Sequence, residues 1–114
     1  MSADRMRRVN EAVREVLSDA IKILKDPRVG FVTVTDVRTS PDLRHAKVFV
    51  SVFGSEEERA ATMEGLASAH GVLQTAVNRE LRLKRTPTLD FVYDDTAERA
   101  DRLERMLADM ERPA

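Results

Sequence analysis

With 114 residues, 34% of them charged and 42% hydrophobic, the chain has room for one modest core and not for two. There is no cysteine, which excludes disulfides, a thiolate nucleophile and a cysteine-based zinc site. The net charge of −1 hides a division: residues 1–85 hold 15 Lys and Arg against 12 Asp and Glu, the remainder 4 against 8, so basic character is expected of the body and acidic character of the tail. No apolar run approaches membrane-spanning length and the charged start lacks a secretion segment, which fits a soluble, cytoplasmic protein without a membrane partner.

From Asp4 to about Lys25, Met6, Val9, Val13, Val16, Leu17, Ala20, Ile21 and Leu24 fall at the three-and-four spacing of an amphipathic helix. Asp26-Pro27 ends it, because proline disfavours helical angles in the residue before it. Residues 31–38 are rich in Val and Thr. Residues 46–53 alternate, with Ala46, Val48, Val50 and Val52 on one face and Lys47, Phe49, Ser51 and Phe53 on the other, so both segments read as strands. Ser40-Pro41-Asp42 has turn chemistry and closes a hairpin. In the first strand Val32 and Val34 share a face that Val37 leaves, and a bulge near Asp36 would restore it. Phe49 and Phe53 are expected to be packing residues.

Ser55 with Glu58 three residues on forms a capping box that starts a helix expected to bury Ala60, Met63, Leu66 and Ala67. As one rod, residues 55–85 would run about 45 Å, against a radius of gyration of about 13 Å for a compact chain of this length. The helix must break, and Gly71 in Ala69-His70-Gly71 is the natural place. Beyond it Val72, Leu73, Ala76, Val77 and Leu81 make a second stripe, leading to Arg79, Arg82, Lys84 and Arg85. After Pro87, a third strand puts Leu89, Phe91 and Tyr93 on one side and Asp90 and Asp94 on the other. Asp95 and Glu98 are expected to cap a last helix with a stripe of Ala100, Leu103, Leu107 and Met110, its surface held by Glu98/Arg102 and Asp101/Arg105 pairs. This order predicts an α+β fold in two layers, a three-stranded sheet with helices on one face.

Over its first six elements the order α-β-β-α-α-β resembles the KH RNA-binding domain of the second topological type, with a C-terminal helix added. KH domains clamp phosphates with a GxxG loop between two helices; here Gly65 has no glycine three residues later, and the break holds Ala69-His70-Gly71 instead. That replacement resembles the bacterial ribosome-binding factor A family, whose KH-like domain carries an Ala-x-Gly kink. Lys25-Asp26-Pro27-Arg28-Val29-Gly30, the run from Asp42 to Val50, the kink, and Arg79 to Phe91 carry the likeness. The resemblance implies a KH-like ribosome and rRNA-binding domain over 1–95, with 96–114 as an acidic helix and tail of the same domain. It implies a monomer that binds the immature 30S subunit and 16S rRNA, with ribosomal proteins as further candidates. It also implies help in late maturation, including processing of the 5′ end, with particular importance in the cold.

What the residues themselves support is positive charge for phosphate. Arg79, Arg82, Lys84 and Arg85 are expected to neutralise phosphates without reading sequence. Arg5, Arg7, Arg8, Arg44 and Lys47 are candidates to extend that surface. The alternative for each is an ordinary solvated charge, favoured at helix C-termini by the dipole. Ala69, His70 and Gly71 are expected to set the helix angle rather than touch ligand. With His45 and His70 the only histidines, a histidine metal site is implausible. No Gly-rich phosphate loop or nucleophile pair suggests catalysis, a cofactor or a small-molecule substrate. A protein-binding module using the last helix or the open sheet face, or a generic KH-like RNA binder, is the competing reading.

Overall fold

The computed structural model describes residues 3–82 and 85–112. Its elements are α1 (Ala3–Lys22), β1 (Phe31–Thr39), β2 (His45–Phe53), α2 (Glu56–Ser68), α3 (His70–Leu81), β3 (Thr88–Tyr93) and α4 (Thr96–Glu111). The strands form one sheet in the order β1-β2-β3, β1 antiparallel and β3 parallel to β2.

The alternation in β2 decides which face is covered: Ala46, Val48, Val50 and Val52 are all buried. Across from them β1 slips register between Val34 and Asp36, which makes Thr35 the extra residue of a bulge and leaves both Val34 and Val37 in the core. The expected bulge is therefore present. Thr35 puts its hydroxyl to use, donating to Phe49 O and to Asp94 Oδ2. From the helical layer Val9, Val13, Leu17 and Ile21 of α1, Leu66 of α2, and Leu73 and Val77 of α3 complete one core cluster, each such side chain contributing about 1.5–3 kcal/mol by burial.

Helix α1 ends at Lys22, three residues before the expected Lys25, and Leu24 N–H bonds back to Ile21 O in the tight turn usual at a helix end. The segment that follows is locked from two sides. Asp26 accepts from the Arg28 backbone N–H, Nε and Nη2, while the buried Thr62 hydroxyl accepts from Gly30 N–H and donates to Arg28 O. Gly65 permits the approach, since a Cβ there would lie 2.6 Å from Val29 Cγ2. This corrects the expected face of α2: Ala60 and Ala67 are exposed, Met63 is half-buried, and Thr62, Gly65 and Leu66 are buried. Close backbone approach selects small and hydrogen-bonding residues there, which an apolar stripe does not register.

The capping box forms as expected, with Ser55 and Glu58 bonding reciprocally. The helix breaks, but not at Gly71. Ala69 ends α2 and begins α3 with φ −87° and ψ 6°, the bridge region that non-glycine residues adopt in type I turns, so glycine is not required. Gly71 lies inside α3, and a Cβ there would meet nothing within 4 Å. Val72, expected in the stripe, is exposed, whereas Leu73 and Val77 are fully buried.

Helix α4 departs most from expectation. None of its residues is buried, and Leu103, Met106, Leu107 and Met110 are 50–79% exposed. Asp95 makes no side-chain cap bond; Asp94 caps instead, accepting from Thr96 N–H and hydroxyl. Glu98 accepts from Tyr93 Oη and Arg59 Nη1 rather than from Arg102, and the Asp101–Arg105 pair forms at 2.9 Å. Fixed only near its start, α4 helps lengthen the chain to 63 Å and raise the radius of gyration to 16.9 Å, above the roughly 13 Å of a fully compact chain.

Candidate nucleic-acid interface

Contacts between α3 and β3 orient the cationic end of α3. His70 Nε2 lies 2.9 Å from Leu89 O and its ring meets Phe91 edge-on. One turn later Gln74 donates to Pro87 O and accepts from Leu89 N–H. As α3 advances, its contacts thus retreat along β3, so the two run oppositely and the end of α3 projects past the start of β3. Gln74 was not singled out in the sequence; its signal is an amide set between Leu73 and Val77 on a packed face, where a buried polar group needs partners.

Arg82 terminates α3 in a left-handed conformation, φ 47°. Glycine usually holds such a position, and another residue there carries backbone strain of about 1 kcal/mol or more. Beyond it, Arg85 lines one cleft with Arg44, His45, Thr86 and Thr88. The start of β2 and the start of β3 make this cleft because they pair in parallel, His45 beside Thr88. Arg44 is partly engaged by Asp42 at 3.7 Å. Ser40 and the Arg44 backbone N–H also hold Asp42, and together these bonds keep its carboxyl below the usual range. The N-terminal arginines reach the same end of the sheet: Asn10, just past Arg7 and Arg8, accepts from both Thr39 N–H and its hydroxyl, and Thr39 pairs with Ala46.

The expected residues therefore divide. Arg82, Arg85 and Arg44 gather at one end of the sheet, with Arg5, Arg7 and Arg8 on the adjoining start of α1. Arg7 approaches Asp4 only to 3.9 Å. Lys47 lies on the uncovered face in register with Asp90, and Arg79 lines an α1–α3 groove with Glu15, Asp19 and Glu80, so neither joins the cleft. Lys84 lies outside the described residues. Among the described residues Arg8, Arg79, Arg82 and Arg85 are exposed and in no ion pair, whereas Arg28, Arg38 and Arg59 are held by Asp26, Asp36 and Glu98. Ala69 makes the kink, and His70 and Gly71 are the first residues of α3. Phe53 is not a packing residue: it is 82% exposed, while Phe49 is half-buried beneath the Arg38 guanidinium.

Among the described residues no group of three or more His, Cys, Asp or Glu could hold a metal ion, and no helix is long and apolar enough to cross a membrane. What the cationic end can do chemically is bind phosphate oxygens through guanidinium forks at a spacing set by a rigid sheet and helix end.

Fold and helix break together define a KH-like α+β domain in which a single alanine replaces the GxxG loop. Within that class the chain belongs to the ribosome-binding factor A family, whose sequence model matches residues 5–107. It is 46% identical over 108 residues to ribosome-binding factor A of Halothermothrix orenii, covering 94% of this chain and 88% of that one. The Geobacter sulfurreducens protein of the same name is 41% identical over 109 residues, covering 95% and 92%. Crystallised ribosome-binding factor A from Thermus thermophilus superposes with a TM-score of 0.69 at 31% identity, over 77% of this chain and 93% of that one. A homology model of Thermus thermophilus ribosome-binding factor A, fitted into the cryo-EM map of a complex with the 30S subunit, gives 0.64 at 31% identity, over 76% of this chain and 92% of that one.

Proposed function

We propose that this protein binds the immature 30S subunit in the cytoplasm as a monomer, contacts 16S rRNA, and assists late maturation, including processing of the 5′ end, without catalysing a reaction itself. Residues 1–95 carry the binding and residues 96–114 extend from it. The observation that carries this reading is the cleft shared by Arg44 and Arg85 at the end of the sheet, past which α3 ends at Arg82, in a member of this family. Each phosphate they neutralise releases counterions, so affinity accrues without sequence readout. Stabilising one rRNA conformation over its competitors needs only stronger binding to that conformation, and such binding suits a factor that matters most in the cold.

Sedimentation with ribosomal particles tests this. The protein should follow immature small subunits at low salt and leave them as salt rises, with log affinity falling by about 0.7–0.9 per phosphate contact for each unit of log salt. Joint reversal by Arg82→Glu, Lys84→Glu and Arg85→Glu should abolish cosedimentation while leaving the circular dichroism spectrum unchanged; wild-type affinity in that variant removes the surface from consideration. Arg82→Gly sharpens the point, because it should stabilise the fold by about 0.5–1 kcal/mol through relief at φ 47° and still weaken binding. The exposed stripe of α4 favours a second reading, a protein-docking helix, for which affinity should respond little to salt.

A further inference from the structure

Phe31 and Phe53 pair across β1 and β2 and are 81% and 82% exposed, on the sheet face away from the helices. One exposed aromatic is ordinary, but two side by side make an apolar patch of the kind that marks a contact site. Their end of the strands borders a groove walled on the helical side by α2 and the segment after α1, with Arg28, Glu58 and Ala61 among its lining residues. Charge around this groove is acidic. Asp26 neutralises Arg28 at 2.6 Å, Glu64 lies close enough to act on Arg28, Glu58 lines the wall, and Glu57 stands one helical turn before Ala61. The Ser55 backbone N–H and hydroxyl bonds to Glu58 lower its carboxyl pKa, so it stays ionised. The cleft holding Arg44 and Arg85 is at the far end of the same strands, about 26 Å away for the eight steps of ~3.3 Å from His45 to Phe53. The molecule is thus polar along its sheet, cationic at one end and acidic with bare phenyl rings at the other.

We infer that the Phe31–Phe53 groove docks a cationic polypeptide segment of the small subunit, while the opposite end faces RNA. Phenyl faces attract ammonium and guanidinium groups, and the aliphatic stems of Lys and Arg cover apolar surface while their heads stay charged. Glu57, Glu58 and Glu64 then receive those heads. An RNA strand would meet repulsion from the same carboxylates. The inference rests on small-subunit binding as proposed above and adds the class of a second contact.

Titration against purified immature small subunits gives a test by sign. Glu57→Gln with Glu64→Gln, two exposed positions outside the capping box, should weaken binding severalfold if the occupant is cationic. Unchanged or tighter binding overturns the inference, the tighter result being the one an RNA occupant produces. Phe31→Ala with Phe53→Ala should weaken binding about tenfold with no change in salt dependence, and wild-type affinity overturns it. Replacing Phe53 with p-benzoylphenylalanine and irradiating the complex should label a Lys- and Arg-rich segment of a ribosomal protein; labelling of rRNA alone overturns it. The Arg82, Lys84 and Arg85 reversal in the same titration separates the two proposals, since its loss of binding beside neutral Phe and Glu variants leaves the first standing and removes the second.

Discussion

Helices α1 and α4 are both amphipathic in sequence, with apolar residues three and four apart, yet Val9, Val13, Leu17 and Ile21 are buried whereas no residue of α4 is. What separates them is not propensity or capping but the availability of a complementary surface. The covered face of the sheet is already filled by α1, α2 and α3 when the chain reaches Asp95. Helix α4 is then held near its start, where Arg59 and Tyr93 grip Glu98, and its own stripe stays open. An apolar stripe states which side of a helix needs a partner; it does not supply one.

The most severe way to probe that contrast is to truncate matched leucines. Leu17→Ala should lower unfolding free energy by about 2–5 kcal/mol, the usual cost of a cavity at a fully buried site. Leu107→Ala should shift it by under about 0.5 kcal/mol, as at exposed positions generally. Urea denaturation of both measures the difference, and comparable losses would show that α4 packs on the body.

A second contrast carries the same logic to the two glycines of the helix pair. Gly65→Ala should destabilise by about 1–3 kcal/mol through overpacking, because its Cβ would meet Val29 Cγ2 at 2.6 Å. Gly71→Ala should stabilise by about 0.5–1 kcal/mol, since alanine is the better helix former and the space there is open. Thermal melts of the pair settle the sign, and a destabilising Gly71→Ala would return the bend to Gly71.

The smallest effect concerns the link after α1. Hydrogen bonds from the Arg28 side chain, then from its backbone N–H, lower the Asp26 carboxyl to about 2. A carboxylate whose folded value is depressed adds stability above its unfolded value, and that stability is lost as pH falls through the folded one. The contribution should therefore fade between about pH 4 and pH 2. Asp26→Asn should be less stable than the parent at pH 7, and the gap should close over that window. Acid titration of the melting temperature reads it, and a gap unchanged at pH 2 would assign the loss to something other than ionisation.

Much of the fold was legible because it is encoded locally. Alternation in β2, the Ser55–Glu58 box and the displaced Val37 each act within a few residues, where sterics and hydrogen bonding leave little choice. The position of the helix break was misread because glycine is permissive rather than directive: Gly71 permits a bend, while packing placed it at Ala69. The cationic end was legible as composition. That Arg44 and Arg85 share a cleft while Arg79 and Lys47 do not was invisible, because it depends on the parallel pairing of β2 with β3, residues more than 40 apart.

By itself the sequence determined the order of elements, the buried side of each strand, and the family. Only the tertiary structure decided that Gly65 and Thr62 seat the segment after α1, that Phe31 and Phe53 stand together in the open, and that α4 goes uncovered. Backbone preference and hydrophobic period are properties of neighbours along the chain. Who covers whom is settled by competition for one limited sheet face, which no local pattern records.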